Sequence, residues 1–329
     1  MARAEQSTTA LAGEQFGFGN VERPSLARRL AAIARRNKLG AISFVLAALV
    51  LFIGAFSPFL QRYEEERQFQ TANPEFNPTA SPMEIARNPN LSTPFVLNRF
   101  EGVSWDHWLG TDQLGRDIYS RLVVGARLAI IIGIGASLVS VASGTATGLI
   151  SGYFGGKTDF VLQRVVDGVQ AFPGLVLLLL LVQVVEKPSL TLTVAVLGFL
   201  GWAASTRIMR SAVLGVSSSG YVEAARSTGA TNLRLMTRHI LPNVFATMII
   251  IFSISIGLYI LAEAGLSFLG LGPADQTTWG KMVNSGRNLI DTHPEESLLS
   301  GAAITFAVLV FNLAGDALRD ELDPRLRGR

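Results

Sequence analysis

The segment that most resembles a chemical site is residues 152–158, whose sequence GYFGGKT looks like a phosphate-binding loop. Such a loop needs a glycine five positions before Gly156, and Ser151 stands there instead. The segment also follows an apolar run rather than a strand, and no acidic strand that would hold magnesium comes after it. We therefore expect an interfacial turn here, and a chain that has no means of hydrolysing ATP itself.

Catalytic and metal-binding patterns are also missing from the sequence. There is no cysteine, and His107, His239 and His293 are scattered, with no second ligand at metal-binding spacing. Charged residues make up only 16% of the chain, below the ~25% usual in soluble domains, and hydrophobic residues make up 49%. This composition argues against a soluble enzyme, a disordered chain and a nucleic-acid-binding domain, and we expect no bound cofactor or metal.

Long apolar runs dominate the chain instead. A bilayer core of ~30 Å needs ~20 helical residues, and a run of 18 or 19 can still span if flanking Arg and Lys side chains snorkel. Because sheets with open edges are excluded from lipid, the runs predict an all-α polytopic membrane protein with six transmembrane helices. Buried helices of a large soluble core are the alternative. The six runs are residues 39–60, 128–154, 168–185, 188–206, 240–262 and 297–315.

The distribution of charge predicts the orientation. Arginine and lysine crowd the residues before the first run, between the fourth and fifth, and after the sixth. The positive-inside rule places all three segments in the cytoplasm, so both termini are expected inside the plasma membrane. The predicted divisions are a cytoplasmic tail at 1–38, a first helix at 39–60, an external segment at 61–122, a five-helix core at 123–318 and a second tail at 319–329. Within the external segment, the proline-rich residues 73–94 predict an extended linker.

The inner loop at residues 207–242 carries the strongest local pattern. Glu223 falls in the first turn of a short helix, where the helix dipole favours an anion, and Gly229 can end that helix in the left-handed conformation. Thr231 can cap the following helix, and Pro242 suits the start of the fifth span. The pattern predicts a helix–turn–helix on the cytoplasmic face. An ordinary connecting loop is the alternative, but such loops are usually far shorter.

Two acidic residues border predicted spans. Asp167 and Glu263 are candidates for a gating or pathway role, because ionisable groups at membrane depth are often functional. The alternative is that both lie at the interface without such a role.

A family resemblance rests on several of these residues. The loop's Glu223, Ala224 and Ala225, with Gly229 and Leu241-Pro242, resemble the EAA signature of ABC importer permeases, and the sequence from His239 to Pro242 is similar to the dipeptide/oligopeptide/nickel branch. The likeness runs from about residue 39 to the end and is greatest to the C-type permease, although residues 61–106 match nothing assigned. Three further segments resemble that branch: residues 108–117 with Arg121 and 125–127, residues 266–272 with Trp279 and Gly280, and residues 312–324.

The resemblance implies the type I (MetI-like) ABC importer permease fold and a subunit that is not an enzyme. Its partners would be a second, B-type permease, two ABC ATPase subunits, an extracytoplasmic solute-binding protein and the lipid bilayer. Peptides are the implied cargo, with nickel, glutathione or a sugar-like solute as alternatives, and an ion-gradient-driven secondary transporter as an alternative of another class. The implied ATPase-coupling residues are Tyr221, Glu223, Ala224, Ala225, Arg226, Gly229, Ala230, His239, Leu241 and Pro242.

Overall fold

A computed structural model describes residues 38–183 and 188–322 of the chain. Most of both predicted cytoplasmic tails, residues 1–37 and 323–329, lies outside the described residues, as does the end of the third apolar run. The described chain is mostly helical. Its helices are α1 (Lys38–Ala55), α2 (Ser57–Leu60), α3 (Pro82–Arg87), α4 (Ile118–Phe154), α5 (Gly156–Gln170), α6 (Gly174–Gln183), α7 (Leu190–Ser217), α8 (Gly220–Ser227), α9 (Asn232–Arg234), α10 (Leu241–Phe268), α11 (Trp279–Gly286) and α12 (Glu295–Leu322).

Among the described residues, five helical stretches are long and apolar enough to cross a membrane. They are α1, α4, α7, α12 and the continuous stretch Asn232–Phe268, in which a π-helical turn at Leu235–Ile240 joins α9 to α10. Five of the six predicted spans are thereby found, and the count of six is not confirmed.

The third predicted run, residues 168–185, is not one helix. Its first residues end α5, and a turn at residues 171–173 separates them from α6, which has ten described residues. Pro173 lies in that turn, because proline has no N–H to donate to a preceding helical carbonyl. The described part of α6 extends about 15 Å, half of a hydrocarbon core.

Helices α4 and α7 nevertheless pack in the same direction along their length. Gly144 lies against Thr206, and further along Gly152 lies against Val213, where an added Cβ would stand 2.9 Å from the neighbouring atom in each case. Their glycine and serine residues let the two backbones approach closely, as expected for helices in lipid. Because the two helices are parallel, the chain between them must return from one end of the bundle to the other.

The remaining long helices alternate in direction. Gly54 of α1 lies beside the start of α4, Gly257 of α10 faces Val308 of α12, and Gly315 of α12 faces Ile254. Residues 38 and 322 therefore lie at the end of the bundle that carries α8. We call this the α8 end, and the opposite one, which carries α11, the α11 end.

The external segment is more ordered than the predicted linker. Strands β1 (Gln70–Ala72) and β2 (Phe95–Leu97) pair antiparallel, so the all-α prediction misses one small sheet. Between them, α3 begins with a capping box in which the Ser81 hydroxyl accepts from the backbone N–H of Glu84 and the Glu84 carboxylate accepts from that of Ser81. These reciprocal bonds stabilise a helix inside a proline-rich stretch.

Candidate functional site

Helix α8 is a short amphipathic helix fixed to the bundle by one buried side chain. Val222 is 0% exposed and packs against Met209 and Val213 of α7 and against Leu235 and Ile240 of the π-helical turn. The predicted residues Tyr221, Glu223, Ala224 and Arg226 are exposed, with Ala224 on the face opposite Val222, while Ala225 is half-buried. The helix therefore rests on the bundle and presents a small-residue face away from it.

The turn after α8 has the predicted conformation. Gly229 has φ +86°, its N–H donates to the Arg226 carbonyl at 3.0 Å, and the Ala230 N–H donates to the Ala225 carbonyl at 3.1 Å. The Thr231 hydroxyl then accepts from the backbone N–H of Arg234, which caps the next helix. The helix–turn–helix expected from the sequence is therefore present, with the glycine in the left-handed region.

Polar contacts connect α8 to two further elements. The Tyr221 hydroxyl donates to the His239 carbonyl at 3.4 Å, across the turn. The Arg226 guanidinium lies 5.8 Å from the ring centroid of Tyr153, whose hydroxyl donates to Asn232 at 2.7 Å. Tyr153 ends α4 and belongs to the phosphate-loop-like segment, so sequence reasoning gave it no part in this site.

The last two predicted coupling residues lie where the turn passes into α10. Leu241 is half-buried against the cluster around Val222, and Pro242 is exposed in the first turn of α10. The prediction that Pro242 starts the fifth span needs correction, because the π-helical turn Leu235–Ile240 continues directly into α10. Pro242 has no N–H to donate to a preceding carbonyl, and the wider π-helical turn stands directly before it, with the Leu241 N–H donating to the Met236 carbonyl.

The two predicted pathway residues are at opposite ends of the bundle. Asp167, in the last turn of α5, accepts from Arg207 of α7 at 2.6 Å and is substantially exposed. Glu263 is buried near the α11 end and accepts from the Ser267 hydroxyl at 2.5 Å. The structure brings neither residue to α8, and it does not bring them to each other.

An ion pair that the sequence did not indicate ties α5 to α7. Both carboxylate oxygens of Asp159 accept from Arg210, from Nε at 2.6 Å and from Nη2 at 2.5 Å. The Ser151 hydroxyl donates to the same carboxylate. The hydrogen bond from Arg210 lowers the pKa of Asp159 more than its slight burial raises it. The partners are 51 residues apart, so no helical spacing could have revealed the pair.

A second ion network lies buried at the α11 end. The Asp112 carboxylate accepts from Arg116 and Arg121, each at 2.7 Å, and Arg121 also donates to Glu296 of α12 at 2.7 Å. Glu66 of the external segment accepts from Arg116 at 2.7 Å. Burial would raise the pKa of Glu66, but the hydrogen bond and charge of Arg116 outweigh it and hold that pKa below its ordinary value.

This network gives a structural role to the 108–117 resemblance. It joins the external segment, the start of α4 and the start of α12, and its residues Glu66, Arg116 and Arg121 line one side of a cavity of about 610 Å³ that α11 and the loop before it also line. Within 38–183 and 188–322, no group of three or more His, Asp and Glu side chains is arranged to hold a metal ion. The side chains of this network hold the external segment and the helices in place. None of them is a nucleophile next to a general base.

The comparisons with known proteins agree with this architecture. Residues 144–328 match the family model described as the binding-protein-dependent transport system inner membrane component. The oligopeptide transport system permease protein OppC of Bacillus subtilis is 34% identical over 294 residues, which cover 89% of this chain and 88% of that protein. The glutathione transport system permease protein GsiD of Pectobacterium atrosepticum is 40% identical over 228 residues, covering 69% and 75%.

A solved structure supports the fold. The MetNI methionine ABC transporter in an inward-facing conformation aligns with a TM-score of 0.52 at 17% identity, over 62% of this chain and 96% of that chain. The resemblance to the dipeptide/oligopeptide/nickel branch is confirmed by the family match and the permease relatives. This chain is a multi-pass membrane protein that belongs to the family of binding-protein-dependent transport system inner membrane components.

Proposed function

We propose that this chain is the C-type permease subunit of an ATP-driven importer that carries peptides across the plasma membrane. Its partners are a B-type permease, two ABC ATPase subunits and an extracytoplasmic solute-binding protein. The relative named as an oligopeptide permease supports this proposal, since it matches 89% of the chain. Glutathione is a second candidate cargo, favoured by the 40% identity to a glutathione permease.

The observation that carries the proposal is that α8 is attached to the bundle through a buried side chain and presents exposed residues to the outside. Glu223, Ala224 and Arg226 are exposed, while Val222 fixes the helix to the bundle. Small side chains allow another protein to approach the α8 backbone closely. In the proposed mechanism an ATPase subunit binds this face, and ATP-driven closure of the ATPases displaces α8.

Displacement of α8 would reach three helices through direct contacts. Val222 packs on α7 and on the π-helical turn that leads into α10. Arg226 contacts Tyr153 at the end of α4, and Tyr153 in turn bonds Asn232. Because protein interiors are close-packed, a shift of α8 cannot be absorbed locally and must move these helix ends. The chain itself does no bond chemistry in this mechanism.

The proposed orientation places the α8 end in the cytoplasm. Arg207, Arg210, Arg226, Arg234 and Arg238 lie at this end, as the positive-inside rule requires. Both described chain ends lie there too, which makes the number of crossings even. The parallel packing of α4 and α7 supports a sixth crossing between them, because the chain has to return across the bundle from the end of α4 to the start of α7.

Cross-linking of single-cysteine variants tests the proposed role of α8. The chain has no cysteine, so Ala224→Cys and Met83→Cys each give one reactive thiol, at opposite ends of the molecule. With the co-expressed ATPase subunits, a short bifunctional cross-linker should join A224C to an ATPase and leave M83C unjoined. Labelling of A224C by an impermeant reagent from outside intact cells would contradict both the orientation and the coupling role.

Uptake assays separate the cargoes. Vesicles that contain the complete assembly and enclose ATP should accumulate labelled dipeptide supplied outside with the binding protein, and unlabelled oligopeptide should compete. Accumulation of nickel or glutathione without competition by peptides would show that the cargo is not a peptide. The proposed coupling role of α8 would be unaffected. ATP-independent uptake driven by an ion gradient would instead favour the secondary transporter.

A further inference from the structure

Large apolar side chains stand out from the protein where the first span ends. Phe59 of α2 is 84% exposed, and Val103 and Trp105 of the external segment are 80% and 90% exposed. Phe52 and Phe56 precede Phe59 as exposed aromatic residues, with ring centroids 4.5 Å apart between the first two and 6.4 Å between the last two. The aromatic row thus continues the apolar surface of α1 up to its end at the α11 side.

Arg62 fixes the loop of residues 101–108 to this place. Its Nη1 donates to the carbonyl of Trp105 at 2.6 Å and to that of Asp106 at 3.1 Å. The same guanidinium lies 4.7 Å from the ring centroid of Trp108. The backbone N–H of Arg62 is in turn held by the Ser120 hydroxyl of α4 at 3.2 Å. The exposed indole of Trp105 is therefore tied to the residue that comes two positions after α2.

The lengths of α1 and α2 indicate the depth of Arg62 in the bilayer. The described part of α1 has 18 residues, about 27 Å of helix, and α2 adds four more, so together they are long enough to cross a hydrocarbon core of ~30 Å. Arg127 of α4 is exposed and lies beside Gly54, from which its long side chain can snorkel outward to the headgroups. By this length the boundary of the hydrocarbon falls near α2, and Arg62, two residues further on, is at the depth of the lipid headgroups.

We propose that the loop of residues 101–108 is a membrane-interface anchor, in which Trp105 and Val103 insert into the headgroup layer of the leaflet at the α11 end. Trp and Tyr favour this layer because one part of the ring is apolar and another polar. The partly buried Glu101 and the exposed Asp106 flank the loop, and their charge limits insertion to the interface. The anchor holds the external segment against the bilayer beside the first span.

A protein partner is the alternative occupant of this surface. An extracytoplasmic binding protein could cover Trp105 from the aqueous side. The lipid interface is favoured because the loop is attached at the end of a lipid-length helix and continues its exposed aromatic row. The two occupants differ in a measurable way, since lipid protects the loop in the absence of any other protein.

Spin labelling of the full chain tests the proposal. Trp105→Cys and Val103→Cys, reconstituted in vesicles of phosphatidylcholine and phosphatidylglycerol, each carry one label because the chain has no other cysteine. Collision with a water-soluble nickel chelate should be several-fold less frequent for these labels than for Met83→Cys on α3, whose side chain is 71% exposed in the same segment. Leu49→Cys, exposed in the middle of α1, gives the value for a fully lipid-facing label.

Nickel collision at W105C equal to that at M83C would overturn the proposal, and so would protection that arises only when a binding protein is added. A second measurement does not depend on the label. In vesicles of brominated phosphatidylcholine, the wild-type chain should lose more tryptophan emission than Trp105→Phe. Equal quenching of the two proteins would also overturn the proposal.

Discussion

Arg210 and Asp159 form a two-pronged ion pair that clamps α5 against α7 at the α8 end of the bundle. Two nitrogen–oxygen contacts of 2.6 and 2.5 Å join one guanidinium to one carboxylate. The neighbouring pair, Arg207 with Asp167, joins the same two helices by a single contact of 2.6 Å. The structure therefore offers two ion pairs between the same elements that differ in geometry and exposure.

Replacing Arg210 by lysine keeps the charge but removes the planar two-pronged donor. We expect Arg210→Lys to lower the free energy of unfolding by about 1 kcal/mol, because charge-assisted paired hydrogen bonds are strong but this pair is partly exposed. Denaturant unfolding of the purified chain in detergent micelles measures the change. Arg207→Lys is the matched control and should change stability by less. Equal losses in both variants would show that the bidentate geometry contributes nothing.

The same pair predicts a pH dependence. The hydrogen bond from Arg210 lowers the pKa of Asp159, so the folded state holds that proton more weakly than the unfolded chain does. A depressed carboxyl pKa contributes stability that is full above the ordinary value of 3.8 and is lost as the pH falls through the folded value. The stability difference between the wild type and Arg210→Lys should therefore be constant near neutral pH and shrink below pH ~4. A difference that changes between neutral and mildly alkaline pH would assign the effect to another group.

Gly229 is required for its backbone rather than for space. Its φ is +86°, and no neighbouring atom lies within 4 Å of an added Cβ. Gly229→Val should strain the turn by about 1–2 kcal/mol or more, tilt α8 and abolish uptake while the protein remains in the membrane. Gly220→Ala, at the other end of α8, is the control, because it meets no atom within 4 Å and has no positive φ. Normal ATP-driven uptake by the Gly229→Val assembly would remove the coupling role.

Gly125 makes room for a tryptophan from another element. A Cβ there would stand 2.7 Å from Nε1 of Trp279, which itself donates to the Leu122 carbonyl at 2.9 Å. Gly125→Ala should cost about 1–3 kcal/mol through overpacking and the strained hydrogen bond. Gly215→Ala in α7 meets nothing within 4 Å, so it should stabilise its helix by up to about 1 kcal/mol. Thermal unfolding midpoints that move in the same direction for both variants would contradict this account.

Arg121 neutralises two buried carboxylates at once. It is 3% exposed and donates to Asp112 and Glu296, both also buried. Arg121→Gln should therefore cost about 3–5 kcal/mol, because it leaves the buried Glu296 carboxylate without this cation and Asp112 with Arg116 alone. The amount of folded protein recovered by size-exclusion chromatography checks the loss, with the exposed Arg87→Gln of α3 as the control. Recovery of Arg121→Gln equal to that of the control would show that other groups compensate the carboxylates.

The short-range features of this protein were predictable from its sequence. A run of apolar residues is excluded from water whatever surrounds it, so a long helix was found at five of the six predicted spans, although four of these helices extend 6 to 11 residues past a predicted end. The turn of α8 was also predictable, because the left-handed conformation at Gly229 and the cap at Thr231 depend on neighbouring residues alone. The same local physics misplaced the third span, since hydropathy does not register the break at Pro173.

Contacts between distant residues were decided only by the tertiary structure. Three such contacts are the ion pair of Arg210 with Asp159, the packing of Val222 against the bundle, and the parallel packing of α4 with α7. Each joins segments that are well separated in the sequence. No periodicity records such pairs, because their energy exists only once the helices have packed. The sequence alone determined that this chain spans a membrane and has a turn after α8, whereas packing decided which helix ends contact that turn.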